Sequence, residues 1–141
     1  MRCLGLDVGE ERIGVAISDP GAFLARPLAV VERRPGPSSF LRIAQIVAGK
    51  GVELVVVGLP LLPDGTEGKQ VRSTRAYVHG LERHVGLPIV YWDERYSTRR
   101  AREIMIENRT SRRRRERLED AFAAAVILQD YLDEQSGGVG S

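Results

Sequence analysis

Three acidic residues stand where a carboxylate either costs free energy or can be put to use. Asp7 lies inside the apolar run CLGLDVG, flanked by Leu6 and Val8; an ionised carboxylate there is costly unless it is paired or bound to a cation. Glu94 follows the apolar PIVYW and sits beside Asp93 in WDERYSTRRA. Asp120 immediately precedes AFAAAVIL. Like charges repel, so gathering carboxylates is a poor way to build a core, but it suits a divalent cation. Mg²⁺ takes a few carboxylates and completes its shell with water and substrate phosphate, and two such ions about 4 Å apart can cleave a phosphodiester. Simpler roles are open to two of the three. Asp120 can be an acid near a helix N-terminus, favoured by the dipole, and Glu94 can pair with Arg95 or Arg99. Asp7 is harder to explain in such terms.

The residues after Glu94 carry the opposite charge. From Arg95 to Arg117 there are ten arginines against three glutamates, a net +7 that leaves −5 for the rest of the chain. Such asymmetry is the footprint of a polyanion-binding face. A solvated basic helix in an arginine-rich chain gives the same pattern, since 19 of the 21 basic residues are Arg. Ser97 and Thr98 can cap a helix and also offer hydroxyls and free N–H groups to an anion. Arg95, Arg99, Arg100 and Arg102 extend that site, because guanidinium matches phosphate bidentately. Arg112, Arg113, Arg114 and Arg115 form a second basic group. Trp92 and Tyr96 bracket the acidic pair and either stack on bases or pack. His79 and His84 have no acidic or cysteine partner nearby in sequence and are read as surface residues.

These residues need a scaffold to bring them together. CLGLDVG and IGVAISD read as a hairpin around Gly9–Arg12, and ARPLAVVE as a third strand after the Pro20-Gly21 turn. Ser38 or Ser39 can cap a helix to about Gly49, with Leu41, Ile43, Ala44, Ile46 and Val47 at helical spacing. ELVVVGLP has the continuous apolar character of a strand buried on both faces of a parallel sheet. A helix over about Glu67–Val85 and a fifth strand, PIVYWDE, follow. Ser97 or Thr98 then starts a third helix with Ala101, Ile104 and Met105 inward. After an arginine-rich linker, Leu118–Leu132 forms a last helix, apolar nearly all round and therefore sandwiched. Three leading strands suit an antiparallel meander, and later strand–helix alternation suits parallel additions. If the first and fifth strands are neighbours and the last helix crosses them, Asp7, Glu94 and Asp120 converge. Gly9 and Gly14 permit a tight turn or close approach to a ligand, and Gly58 gives access at the end of the fourth strand.

Composition bounds the rest. A chain of 141 residues with 43% apolar and 28% charged content is expected to form one soluble domain over residues 1–135, with a disordered tail, SGGVGS, over 136–141. No apolar run is long enough to span a membrane, and MRCLGLDVG lacks the features of a signal peptide, so a cytosolic location is expected. One cysteine and two scattered histidines exclude a zinc cage. D-x-G also opens phosphate loops in sugar kinases and actin-like ATPases, but those need two domains around a cleft and this chain is too short for them.

DVGEERIGVAISD, VVVGLPLLPDGTEG, WDERYSTRRA and LEDAFAAAVIL, in this order and spacing, resemble the YqgF (RuvX) family of bacterial RNase H-like nucleases from Arg2 to about Leu132. The resemblance implies an α/β, RNase H-like fold: a five-stranded mixed sheet, three strands antiparallel, flanked by helices. It also implies a nuclease that resolves Holliday junctions, by kinship with RuvC, or matures the 5′ end of the precursor of 16S rRNA. Carried over by position, the acidic triad falls on Asp7, Glu94 and Asp120, with Mg²⁺ or Mn²⁺ as cofactor. Asp93 belongs to the same motif and is open as a further ligand. The segment ENRTSRRRRERLED is more arginine-rich than the pattern requires. The expected partners are structured RNA or branched DNA; a four-way junction would favour a homodimer. The competing reading is a nucleic-acid-binding scaffold on the same fold whose catalysis is vestigial.

Overall fold

The computed structural model describes residues 1–94 and 112–140, with side chains of the last helix described over 119–136. Strands β1 (Arg2–Val8), β2 (Arg12–Ser18) and β3 (Ala25–Glu32) form the expected antiparallel meander. The β1–β2 loop is closed by the Gly9 N–H donating to the Arg12 carbonyl at 2.9 Å. A Cβ on Gly9 would lie 2.7 Å from that carbonyl oxygen, so glycine is required. Between β2 and β3, the Asp19 carboxylate accepts the N–H groups of Gly21, Phe23 and Leu24. Those bonds stabilise its ionised form and hold its pKa below the ordinary value.

Helix α1 (Ser38–Lys50), strand β4 (Val52–Leu59), helix α2 (Lys69–Val85) and strand β5 (Ile89–Asp93) follow. Both helices end at a left-handed glycine, Gly51 and Gly86. The sheet order is β3-β2-β1-β4-β5, with β4 parallel to both β1 and β5. The first and fifth strands are therefore not the neighbours on which convergence of the acids was made conditional; β4 lies between them.

Alternation along the strands sends Leu4, Leu6, Val15, Val55 and Val57 to one face, where they pack with Ile43, Val47, Tyr77, Val78 and Leu81 of α1 and α2. Two expectations for α1 are corrected. Leu41 is half-exposed, one position off the buried stripe of Ile43, Ile46 and Val47. Neither Ser38 nor Ser39 caps the helix: Pro37 holds that position, and Ser39 is buried, accepting a hydrogen bond from the Tyr77 hydroxyl at 2.8 Å.

The last helix, α3 (Arg112–Gly140), covers the other face. Ala124, Ala125, Ile127, Leu128 and Leu132 pack there on Cys3, Ala16, Leu54 and Val56. It is longer at both ends than expected. Arg112–Arg115 lie in its first turns rather than in a linker, as the good helix propensity of arginine allows. The helix also continues to Gly140, over the segment expected to be a disordered tail. The helix expected after Ser97, with Ala101, Ile104 and Met105 inward, lies outside the described residues. Among the described residues no helix is long and apolar enough to cross a membrane.

Candidate nuclease site

Parity along β1 puts Asp7 on the same face as Cys3 and Gly5, under α3. Its partner across the β1–β2 pair is Gly14. A Cβ on Gly14 would sit 1.8 Å from the Asp120 carbonyl oxygen, and one on Gly5 would sit 2.8 Å from Leu128 Cβ. Missing side chains on β1 and β2 thus let the backbone of α3 lie directly on the sheet, which sets Asp120 beside Asp7. Gly14 serves this close helix packing, and Gly9 the turn.

Glu94 arrives from the other side. It follows the last residue of β5, with the parity of Val90 and Trp92. To reach Asp7 its carboxylate must pass over β4, and it does so above Gly58, where a Cβ would lie 2.4 Å from Glu94 Oε2 and 2.5 Å from Ile127 Cδ1. Gly58 does give access at the end of the fourth strand, but to Glu94. The neighbouring Asp93 has the opposite parity, that of Tyr91.

Asp7 therefore stands between two other carboxylates. Burial, and then the charge of Asp120, push its pKa up to about 6. Burial, then Asp7, then Asp93 push Glu94 up to about 7. Glu94 Oε2 is buried, with no hydrogen-bond partner among the described residues. On the outer side, Arg12 Nε donates to Asp120 Oδ2 at 2.8 Å. The β1–β2 loop beneath this pair is held by Arg33, which donates to the Gly9 carbonyl at 3.0 Å and to Ser73 Oγ at 2.9 Å.

The donor set is hard, anionic and partly desolvated, and includes a buried oxygen without a partner among the described residues; such oxygens are of the kind that suit Mg²⁺ or Mn²⁺. Among the described residues, however, no three His, Cys, Asp or Glu side chains are placed to hold an ion together. Asp7, Glu94 and Asp120 are adjacent, but Asp120 is engaged by Arg12.

Arg95, Tyr96, Ser97, Thr98, Arg99 and Arg102 lie outside the described residues. Arg112, Arg113, Arg114 and Arg115 are placed only as positions on α3, N-terminal to Asp120. Trp92 meets Tyr131 edge-on at 5.7 Å in the layer under α3, which favours its packing role. His79 is exposed and His84 lies against Phe40 with ring centroids 5.2 Å apart. In D-G-T-E, Asp64 accepts from Thr66 and Glu67 pairs with Arg75. Arg12 was not singled out by sequence reasoning. Its partner is 108 residues away, so no local spacing could have shown the pair.

This sheet and helix arrangement matches solved resolvases. One is Thermus thermophilus RuvC in complex with a Holliday junction (TM-score 0.55, 17% identity, 97% of each chain). Another is fowlpox virus resolvase with its junction DNA (TM-score 0.61, 10% identity, 96% of this chain and 99% of that one). At such identities the likeness establishes the fold, which is RNase H-like. Sequence goes further: the family model described as "RuvX: Holliday junction resolvase" matches residues 1–134. A protein of Symbiobacterium thermophilum is 45% identical over 136 residues, covering 96% of this chain and 94% of its own. One of Desulforamulus reducens is 43% identical over 133 residues, covering 94% and 97%. Both bear the name "Putative pre-16S rRNA nuclease". The chain belongs to the RuvX Holliday junction resolvase family, a nuclease family acting on phosphodiester bonds.

Proposed function

We propose that this protein is a divalent-metal-dependent endonuclease that hydrolyses phosphodiester bonds of structured nucleic acid, with Asp7, Glu94 and Asp120 as its metal-holding carboxylates. The observation that carries the reading is the buried Glu94 Oε2, brought across Gly58 to Asp7 and without a hydrogen-bond partner among the described residues. Neither burial nor repulsion is relieved within the described protein, and a cation would relieve both. Mg²⁺ or Mn²⁺ bound there would polarise the scissile phosphate and lower the pKa of a bound water. Asp7 and Glu94 hold the ion, and must be ionised to do so. Asp120 supplies the third carboxylate from α3. The arginines of 95–102 and 112–115 bind substrate phosphates, and Arg112–Arg115, N-terminal to Asp120 on α3, contribute affinity rather than chemistry.

The names of the relatives point to the precursor of 16S rRNA, and the family description to the four-way DNA junction. Both are structured polyanions of the kind the basic segment suits; for a junction, a dimer would match the two-fold symmetry. The test presents both labelled substrates side by side, with Mg²⁺, with Mn²⁺, and with EDTA. Metal-dependent cleavage abolished by EDTA is expected on at least one. The scaffold reading with vestigial catalysis is favoured by one observation, that no three described ligands are placed to hold an ion. It predicts binding without cleavage in the same assay.

A further inference from the structure

We infer that Arg12 is a positioning residue that competes with a divalent cation for the Asp120 carboxylate, and that a substrate phosphate drawing the guanidinium away frees Asp120 for the cation. This rests on the metal-site reading above. Backbone movement cannot bring Asp120 closer to the sheet, because its carbonyl already lies against Gly14, where a Cβ would be 1.8 Å away. Arg12 begins β2 directly after a loop fixed by Arg33 and Ser73. Side-chain rotation then suffices to decide whether Asp120 faces Arg12 or Asp7.

The pair is strong enough to hold Asp120 and weak enough to yield. Its side chains are 59% and 34% exposed, with Arg12 Nε 2.8 Å from Asp120 Oδ2. Such partly exposed pairs are worth about a two- to fivefold change in an equilibrium constant. Besides Asp120, the carboxylates of Glu11 and Glu119 act on Arg12 through space. The guanidinium fork that meets a carboxylate meets a phosphate equally well. Nucleic acid and cation would then bind with positive coupling, each favouring the other by the same factor.

The experiment measures Mn²⁺ binding to the whole chain without nucleic acid, from loss of the free-ion paramagnetic resonance signal. Arg12→Ala should bind Mn²⁺ about two- to fivefold more tightly than the native protein. Arg12→Lys, which keeps a donor and a charge, should return affinity towards the native value. In an Asp120→Ala background, Arg12→Ala should change nothing. Unchanged or weaker binding in Arg12→Ala overturns the inference. So does equal tightening with and without Asp120, which would be a through-space charge effect. If the native protein itself binds no Mn²⁺, the metal-site reading fails first, a result distinct from the other two.

Discussion

The chemistry of this site turns on how three carboxylates differ, and that difference is testable one residue at a time. Asp7 and Glu94 bind protons more tightly in the folded chain, at about 6 and about 7 against ordinary values of 3.8 and 4.5. Their contribution to stability is therefore fully present below the ordinary values and is lost as pH rises through the folded ones. With EDTA present, the urea midpoint should be higher at pH 5 than at pH 8; the reverse order would count against a buried pair. Asp7→Asn removes a charge from this cluster. It should abolish cleavage, raise stability at pH 8 by about 1–3 kcal/mol, and flatten the difference between the two pH values. Retained activity in a purified, metal-replete Asp7→Asn protein would exclude the triad. Glu94→Gln should be equally inactive, whereas Asp93→Asn, whose parity turns it to the other face, should be milder. An inactive Asp93→Asn beside an active Glu94→Gln would assign the site carboxylate to Asp93 instead of Glu94.

At the scale of elements, the site exists because α3 and β5 both lean on glycines. A Cβ on Gly58 would lie 2.4 Å from Glu94 Oε2 and 2.5 Å from Ile127 Cδ1. Gly58→Ala should cost about 1–3 kcal/mol from overpacking and reduce cleavage further than that loss explains, because the displaced group includes a carboxylate of the site. Thermal melting and turnover of the folded fraction separate the two effects. Gly14→Ala is more severe. Its Cβ meets the backbone of Asp120 at 1.8 Å, so α3 must lift from the sheet. The expected outcome is a loss of more than about 4 kcal/mol, read by chemical denaturation.

For the molecule as a whole, the distribution of charge matters more than its sum. The sheet brings the carboxylates to one end of the β1–β4–β5 layer, and α3 carries Arg112–Arg115 about two turns away from Asp120 along its axis. Replacing all four arginines with Ala should reduce the slope of log K against log salt by up to about 3 units. Turnover at saturating substrate should change less, since phosphate contacts remote from the chemistry contribute uniform binding. Titration at several salt concentrations reads the slope, and an unaltered slope would retire the clamp while leaving the metal site standing.

Local chemistry was enough to mark the elements and the acids. Alternating apolar residues defined the meander, the unbroken ELVVVGLP marked a strand buried on both faces, and an acid inside CLGLDVG was conspicuous because burial makes it costly. Four motifs in register pointed to the family. What a chain cannot reveal locally is which strand lies between two others and which backbone touches which. Parallel strands are joined by long crossovers, so nothing near Asp7 or Glu94 shows that β4 separates them. Nor does anything in IGVAISD show that Gly14 is small for the sake of a carbonyl more than a hundred residues later. The same is true of Arg12 and Asp120, 108 residues apart. Residue types and spacing determined that carboxylates and guanidinium groups were available; only tertiary packing decided that Glu94 crosses Gly58 to Asp7 and that Arg12 holds Asp120.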